Sequence, residues 1–319
     1  MKQQNNNLSR RSFVKNTVIT SALLPLYGNV FSMFNSNADT RLKIHIFSKH
    51  LQFLNYEDMA NAAAEMGFDG IDLTVRPNGH VLPERVESDL PKAVEAMRKA
   101  RLAPLLMTSS VQDANNDTDK KVLGTAVKVG IQYYRMNWFT YSEQKSIPES
   151  LQNFQQQIKE LSYLNKELGL TGCYQNHAGT GVGSDIWELW ELLKEADKKY
   201  MGLQYDIRHA VVEGGQSWPN ALRLIQPQIK TIAVKDFIWE KKNGRWDTTN
   251  TPIGEGMVDF KTYFKLLKQY RVNVPVTLHL EYSLGGAEHG ATKITCDKKV
   301  VFEAMKKDLQ KVHELWQQA

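Results

Sequence analysis

The chain has only two cysteines in 319 residues, Cys173 and Cys296. Two thiols build no disulfide framework, and their spacing fits no metal-binding pattern, so both are expected as small buried hydrophobes. Long apolar runs are equally scarce. No stretch approaches the roughly 18 consecutive apolar residues that a membrane-spanning helix needs. No Pro/Ser-rich linker divides the chain after residue 40, so a single large domain is the economical expectation. Positive charge is also in short supply once its location is considered. The formal net charge is +5, yet Lys2, Arg10, Arg11 and Lys15 all fall in the first 38 residues, where there is no Asp or Glu. What remains is nearly neutral, so no basic field argues for nucleic acid as a partner.

What is present begins with an address. The segment SRRSFVK, Ser9 to Lys15, precedes the weakly hydrophobic run NTVITSALLPLYGNVFSMF. Paired arginines, a nearby Phe and a trailing Lys before a modest apolar stretch resemble a twin-arginine export signal. Pro25, Gly28 and Asn29 interrupt the run, which disfavours a permanent anchor. Residues 1–38 are therefore read as a signal cleaved near Ala38, and 39–319 as the domain. The expected location is the periplasm, with a cytoplasmic protein bearing a basic tail as the alternative.

With 42% hydrophobic and 24% charged residues the rest has the composition of a globular protein. From residue 42 onward, short β-branched or apolar runs alternate with longer stretches of helical period. The strand candidates are LKIHIF from Leu42, GIDLTV from Gly70, LAPLLM from Leu102 and QYYRMN from Gln132. LTGCYQ from Leu170, GLQYDI from Gly202, IKTIAV from Ile229 and VPVTLHL from Val274 follow. Gly67, Gly130 and Gly169 sit where helices end before the next strand, as left-handed C-caps do. Eight successive strand-helix units demand parallel pairing with right-handed crossovers, and such a sheet closes on itself. The predicted fold is an α/β protein, a (β/α)8 TIM barrel. An open doubly wound sheet would want a Gly-rich phosphate loop after strand one, where the sequence reads SKHLQFL.

Barrels of this kind carry their chemistry at the C-terminal ends of the strands. Those ends supply His45 and Lys49, then Asp72, Arg76 and His80, then Asn137 and Trp138. The later strands add Gln175, Asn176 and His177, then Asp206 and His209, Lys235 and Asp236, and finally His279 and Glu281. Ionisable groups gathered in one concavity are costly unless they serve a ligand. Smaller signals weigh less: Trp187 and Trp190, spaced by three, are expected in the core. His50 and His313 are expected at the surface or in packing, and Glu255 in PIGEGMVDF is a second-rank candidate.

The segments CYQNHAG, YDIRHA, VKDF, PIGEGMVDF and LHLEY resemble the xylose isomerase-like superfamily of sugar isomerases and epimerases. DLTVRPNGHVLPERV resembles a subgroup described as sugar phosphate isomerase/epimerase. The resemblance covers residues 42 to the end. It implies one divalent metal, Mn, Zn, Co or Mg, held by a Glu on strand five, an Asp on six, a His on seven and a Glu on eight. Those positions here are Gln175, Asp206, the neighbourhood of Ala233 to Lys235, and Glu281. Two match and two depart, so the reduced set Gln175, Asp206 and Glu281 is expected to hold metal weakly or not at all. His209 or His177 is the alternative nitrogen ligand. A further alternative sets the Lys235 ammonium between Asp206 and Glu281, which are expected to converge from adjacent staves at one rim.

The same departures bear on mechanism. Epimerisation next to a carbonyl is thought in this family to use two carboxylates, and Gln175 cannot exchange a proton. A one-base reaction is favoured: isomerisation, or elimination and hydration at a keto-sugar, with Glu281 as base. His209 and Lys235 would polarise the carbonyl and His177 would act as acid. Arg76, His80, Trp138, Asn176 and Trp239 are the expected substrate-binding residues, the aromatics stacking on a sugar ring. A neutral sugar, glycoside or oxidised derivative is preferred to a sugar phosphate, for want of a Gly-rich cradle. An apurinic-site endonuclease on the same barrel would need more His and Glu ligands and a basic face. A silent sugar-binding protein stays open as a second alternative.

Overall fold

In a computed structural model, residues 41–319 are described, and the export-signal reading of residues 1–38 lies outside the described residues. Strands β1 (Ile44–Phe47), β2 (Gly70–Val75), β3 (Ala103–Ser109) and β4 (Tyr133–Arg135) open the barrel. β5 (Thr171–Gln175), β6 (Met201–Asp206), β7 (Ile229–Val234) and, after an excursion, β10 (Val276–Leu278) complete it. These eight strands pair in parallel in chain order and close between β1 and β10. β1, β2 and β6 are buried along their whole length. That double-sided burial is why they read as continuous apolar runs rather than alternating ones.

The helices between them bury one stripe each. α1 (Tyr56–Met66) starts where the Asn55 side chain accepts from the Asp58 amide and ends at Gly67, whose φ is 94°. α2 (Val86–Lys99) and α3 (Asp117–Lys128) follow, then α4 (Ile147–Leu168), opened by a reciprocal Ser146–Glu149 capping box and closed by Gly169 at φ 74°. α5 (Ile186–Leu192) buries Ile186, Leu189 and Leu192. Trp187 and Trp190 face outward, 55% and 38% exposed, against the expectation of a core position. Their spacing of three shares a face, but Ile186 and Leu189 occupy the one that meets the barrel. α6 (Ile207–Gly214), α7 (Trp218–Ile225), α8 (Phe260–Gln269) and α9 (Lys298–Gln318) complete the ring. Among the described residues no helix is long and apolar enough to cross a membrane.

After β7 the chain leaves the barrel as an antiparallel hairpin, β8 (Asp236–Lys242) and β9 (Arg245–Thr251). Asp236, fully buried, anchors its return. One carboxylate oxygen accepts from the amides of Gly254 and Gly256, each at 2.9 Å, and the other from Phe237 at 2.8 Å and Val258 at 3.1 Å. PIGEGMV is thus a loop wrapped around one carboxylate. A Cβ on Gly256 would overlap that carboxylate and the Phe237 carbonyl. Glu255 points away from the mouth and pairs with Lys307 at 2.7 Å, and Asp259 caps α8 through the Thr262 amide.

Removing the clamp leaves several buried donors without a partner, each worth about 1–3 kcal/mol. Asp236→Ala is expected to lose at least about 2 kcal/mol in urea unfolding, and Gly256→Ala a comparable amount. Wild-type stability in both variants would refute this account of the motif.

Candidate active site

The barrel register sets the site. Asp206 lies level with Ala233, and Val234 with Leu278, so β6, β7 and β10 release Asp206, Lys235 and His279 at one rim. Asp206 also opens α6, where its Oδ1 accepts from the His209 amide at 3.3 Å. Glu281 follows β10, and its carbonyl accepts from Asn250 of the hairpin at 3.3 Å. Across this rim the Lys235 ammonium stands 3.2 Å from Asp206 Oδ2 and 3.2 Å from Glu281 Oε2. The other Glu281 oxygen accepts from Lys49 at 2.8 Å. The two carboxylates do not come from adjacent staves, contrary to expectation: β7 lies between theirs, and its Lys235 fills the interval.

Burial alone would raise both carboxyls. For Glu281, Lys235, His279 and Lys49 outweigh it and hold the group well below the ordinary carboxylate range. For Asp206 burial prevails over Lys235, and its pKa is raised. Asp72, inside the barrel, is likewise pushed up by burial to about 6, although Arg135 opposes this. One of its oxygens accepts from Thr108 at 3.0 Å; the other has no hydrogen-bond partner.

Gln175 decides how well the cluster suits a divalent cation. Its Oε1 accepts from Arg135 Nη1 at 2.7 Å and its Nε2 donates to Asp206 Oδ2 at 2.8 Å. The guanidinium requires an oxygen and the carboxylate requires a donor, so the amide presents N–H toward Asp206 and turns its oxygen to Arg135. With an ammonium between the remaining carboxylates, the donor set Gln175, Asp206 and Glu281 does not fit a metal ion. Among the described residues no group of three or more His, Cys, Asp or Glu side chains is placed to hold one. The three residues of the reduced metal set read from the sequence do meet at this rim, with the Lys235 ammonium of the alternative reading beside Asp206 and Glu281.

Histidines line the cluster in neutral form. His209 Nδ1 faces Arg208 Nη1 at 3.0 Å, so it accepts, and the ring proton sits on Nε2, 3.6 Å from Asp206 Oδ2. Burial, then Lys235 and His177, hold its pKa well below the ordinary range. The His177 ring lies 4.1 Å from that of His209 and 4.9 Å from that of Trp138. His279 stacks on Phe47 with centroids 4.3 Å apart, and its Nδ1 stands 3.8 Å from Glu281 Oε1. Burial depresses it to about 3.

Glu281, Lys235, His209, His177, Asp206, Gln175, Trp138 and Arg76 are thus brought to one mouth. Three expected substrate-binding residues are placed otherwise. Asn176 is buried, and both ends of its amide bind the Asp206 backbone, at 2.7 and 2.9 Å, so it ties β5 to β6. His80 turns into a Ser48–Thr74 cluster and lines an outer cleft with Tyr56 and Arg85. Trp239 stands on the hairpin against Phe237, 41% exposed, with no contact to the carboxylates. Arg135 and Arg208 were not among the expected site residues. Arg135 stacks over Trp138 at 4.3 Å, and Arg208 over Phe237 at 5.2 Å. A signal existed for the first, an arginine inside the strand run QYYRMN, where only a barrel interior justifies a charge.

Parallel strands closed into a barrel, with polar chemistry at the C-terminal rim, define a (β/α)8 protein with its site in the usual mouth. The chain belongs to the xylose isomerase-like TIM barrel family, whose pattern it matches over residues 60–295. No curated protein is significantly similar in sequence. Among solved structures it is similar to D-psicose 3-epimerase from Clostridium cellulolyticum H10, at 13% identity and TM-score 0.66, covering 86% of this chain and 99% of that one. It is similar to 3-keto-D-glucoside 4-epimerase from E. coli, at 13% identity and TM-score 0.62, covering 85% and 100%. It is also similar to the IOLI protein with a bound zinc atom, at 17% identity and TM-score 0.67, covering 86% and 99%. At such identities the likeness speaks to the fold.

Neutral buried histidines make stability depend on pH. Burial first, against partial compensation, lowers His45 and His80 to about 4, and lowers His279 to about 3 and His50 well below 6.5. A depressed folded pKa gives stability that is present above 6.5 and lost as pH falls toward 4. Each such group contributes about 1.4 kcal/mol per pH unit in that window. Asp72 and Asp308, both raised to about 6, and Asp206, also raised by burial, oppose the trend over most of that window. The histidine contribution is therefore read as a difference between variants. In His45→Asn, which keeps a donor for the Val276 carbonyl, the urea midpoint should fall less than that of the wild type on going from pH 6.5 to 4. Equal changes in the two proteins would contradict the assignment.

Proposed function

We propose that this chain is an enzyme that removes the proton next to the carbonyl of a sugar or keto-sugar, using a fixed ammonium where the resemblance implies a metal. The observation that carries this reading is the Lys235 ammonium 3.2 Å from both Asp206 and Glu281. Glu281 is the base, since its side chain is 23% exposed while that of Asp206 is fully buried. Two ammonium contacts keep it ionised but weak. A substrate carbonyl that takes over one N–H of Lys235 or Lys49 loosens that grip and strengthens the base at the moment of use. As the C–H bond breaks, charge moves onto the carbonyl oxygen, where fixed N–H donors stabilise it. His209, neutral with its Nε2 proton inward, is a further donor to that oxygen. Trp138, held by Arg135 and by its own N–H on the Gln175 carbonyl at 2.9 Å, offers a flat face to a sugar ring.

Gln175 in place of a second carboxylate supports a one-base outcome. In isomerisation Glu281 returns the proton to the neighbouring carbon while the hydroxyl proton crosses to the former carbonyl oxygen; in elimination a β hydroxyl leaves as water, carrying the proton that Glu281 removed. The structural likeness to a keto-glucoside epimerase supports substrates with a carbonyl, not the particular reaction.

The test is solvent deuterium entry next to the carbonyl of free and oxidised mono- and disaccharides, with chelator-treated enzyme. Wild-type exchange is expected without added metal. Glu281→Gln should lose about 10²–10⁴-fold and Lys235→Met about 10²–10³-fold, with ligand affinity kept. One tightly held Mn, Zn or Co per chain on which exchange depends would overturn the ammonium mechanism. Absence of exchange with every sugar would favour a binding protein.

A further inference from the structure

Arg208 and His209, both buried, share the first turn of α6. The Asp206 cap fixes the His209 amide, but it leaves open which ring nitrogen carries the proton. Nothing at Nε2 settles that choice, since this atom has no hydrogen-bond partner. Asp206 Oδ2 stands 3.6 Å from it, outside hydrogen-bond distance. That oxygen already accepts from Gln175 Nε2 at 2.8 Å, with the Lys235 ammonium 3.2 Å away. At Nδ1 the choice is forced. Arg208 Nη1 lies 3.0 Å off, and a guanidinium only donates, so Nδ1 keeps its lone pair and the proton goes to Nε2.

Arg208 is in turn held by the hairpin. Its Nη2 donates to the Thr248 hydroxyl at 2.8 Å, and its guanidinium lies 5.2 Å from the centre of the Phe237 ring. In the β8–β9 ladder Phe237 stands opposite Asn250, and Trp239 opposite Thr248. Directly opposed residues, and residues two apart on one strand, share a face, so Phe237, Thr248 and Asn250 lie on one surface. That surface meets Arg208 through Phe237 and Thr248 and the Glu281 carbonyl through Asn250, at 3.3 Å. Burial lowers the Arg208 pKa, and Asp206, Glu281, Asp247 and Glu213 act against it through space. Direction comes instead from Thr248, Phe237 and His209.

We infer that Arg208 is a positioning residue that keeps the His209 proton on Nε2, and that the β8–β9 hairpin holds Arg208 to this task through Thr248. The inference rests on the proposed function only for the use of that proton. On Nε2 it is donated to the oxygen where charge collects; on Nδ1 it leaves a lone pair facing that oxygen and opposing the charge. A two-stranded ribbon is weakly stable by itself, which gives the Asp236 clamp at its base a reason beyond folding.

Nitrogen-15 shifts of selectively labelled histidine read the tautomer without turnover, because bare and protonated ring nitrogens resonate far apart. The full chain is measured at one pH above the ordinary histidine range, so that proton position rather than ring charge is read. Loss of signals in His209→Gln assigns the pair. The wild type is expected to show a bare Nδ1 and a protonated Nε2. Arg208→Met keeps an apolar stem and removes the donor, so its two His209 signals should move toward each other. Thr248→Val removes the acceptor at equal size and should move them the same way by less, and Thr248→Ser should restore them. Circular dichroism verifies folding, and the Thr248 pair carries the test if Arg208→Met does not fold. With a sugar that exchanges, Arg208→Met should lower kcat about tenfold or more while KM changes less than about twofold. A protonated Nδ1 in the wild type, or unmoved signals in Arg208→Met, would overturn the inference, and unmoved signals in Thr248→Val would overturn the part given to the hairpin. Signals that move as expected while no sugar exchanges would overturn the catalytic reading alone.

Discussion

An ammonium held between two carboxylates is the interaction on which this mouth is organised. Asp206 has no exposed surface, and Glu281 faces it across the rim; without a cation between them two like charges would share one low-dielectric space. Breaking such an arrangement by removing one member is far more costly than its net contribution, because the others are left buried and unpaired. The resemblance implies a divalent cation and a third carboxylate at this point. Replacing that carboxylate by Gln175 removes one negative charge, and replacing the cation by Lys235 removes one positive charge. The two departures therefore balance, which is a physical reason to read them as one change. Arg135 reinforces it by claiming the Gln175 oxygen, the only atom of that side chain able to ligate a metal.

The surrounding loops serve this arrangement through main-chain commitments. Asp236 gathers the returning hairpin by its amides, and the hairpin places Asn250 on the Glu281 carbonyl. Asn176 fixes the Asp206 backbone from both sides. Such contacts touch nothing reactive, yet they decide where two carboxylates stand to within the distances that proton transfer requires. They explain why polar residues at strand ends outnumber those that reach the mouth.

The barrel was legible in the chain because its strands are buried on both faces and its helices on one, so composition and period carry the signal directly. The closing glycines behave likewise: the left-handed turn after α1 or α4 is a local demand that the sequence must meet locally. Site membership is not local. His80 and Asn176 follow strand ends as regularly as Lys235 and Glu281 do, but a neighbour's hydroxyl or backbone amide captures them, and no one-dimensional pattern announces that capture. Arg135 went the other way. A charge within a strand run looks like an irregularity until closure of the barrel puts it opposite Gln175.

Exchanging a metal for an ammonium also changes what a substrate must bring. A divalent cation binds two substrate oxygens and orients them, supplying affinity and activation together. An ammonium offers three hydrogen bonds, and here one is already given to Glu281 while Asp206 holds the same group as an ion pair. Orientation must then come from groups distant from the reacting carbon, whose binding energy can be used to hold the carbonyl against its base. Trp138, fixed by its N–H on the Gln175 backbone carbonyl and by Arg135 over its ring, is such a group. On this view an anchor outside the reacting centre becomes necessary wherever an ammonium, rather than a metal ion, holds the carbonyl.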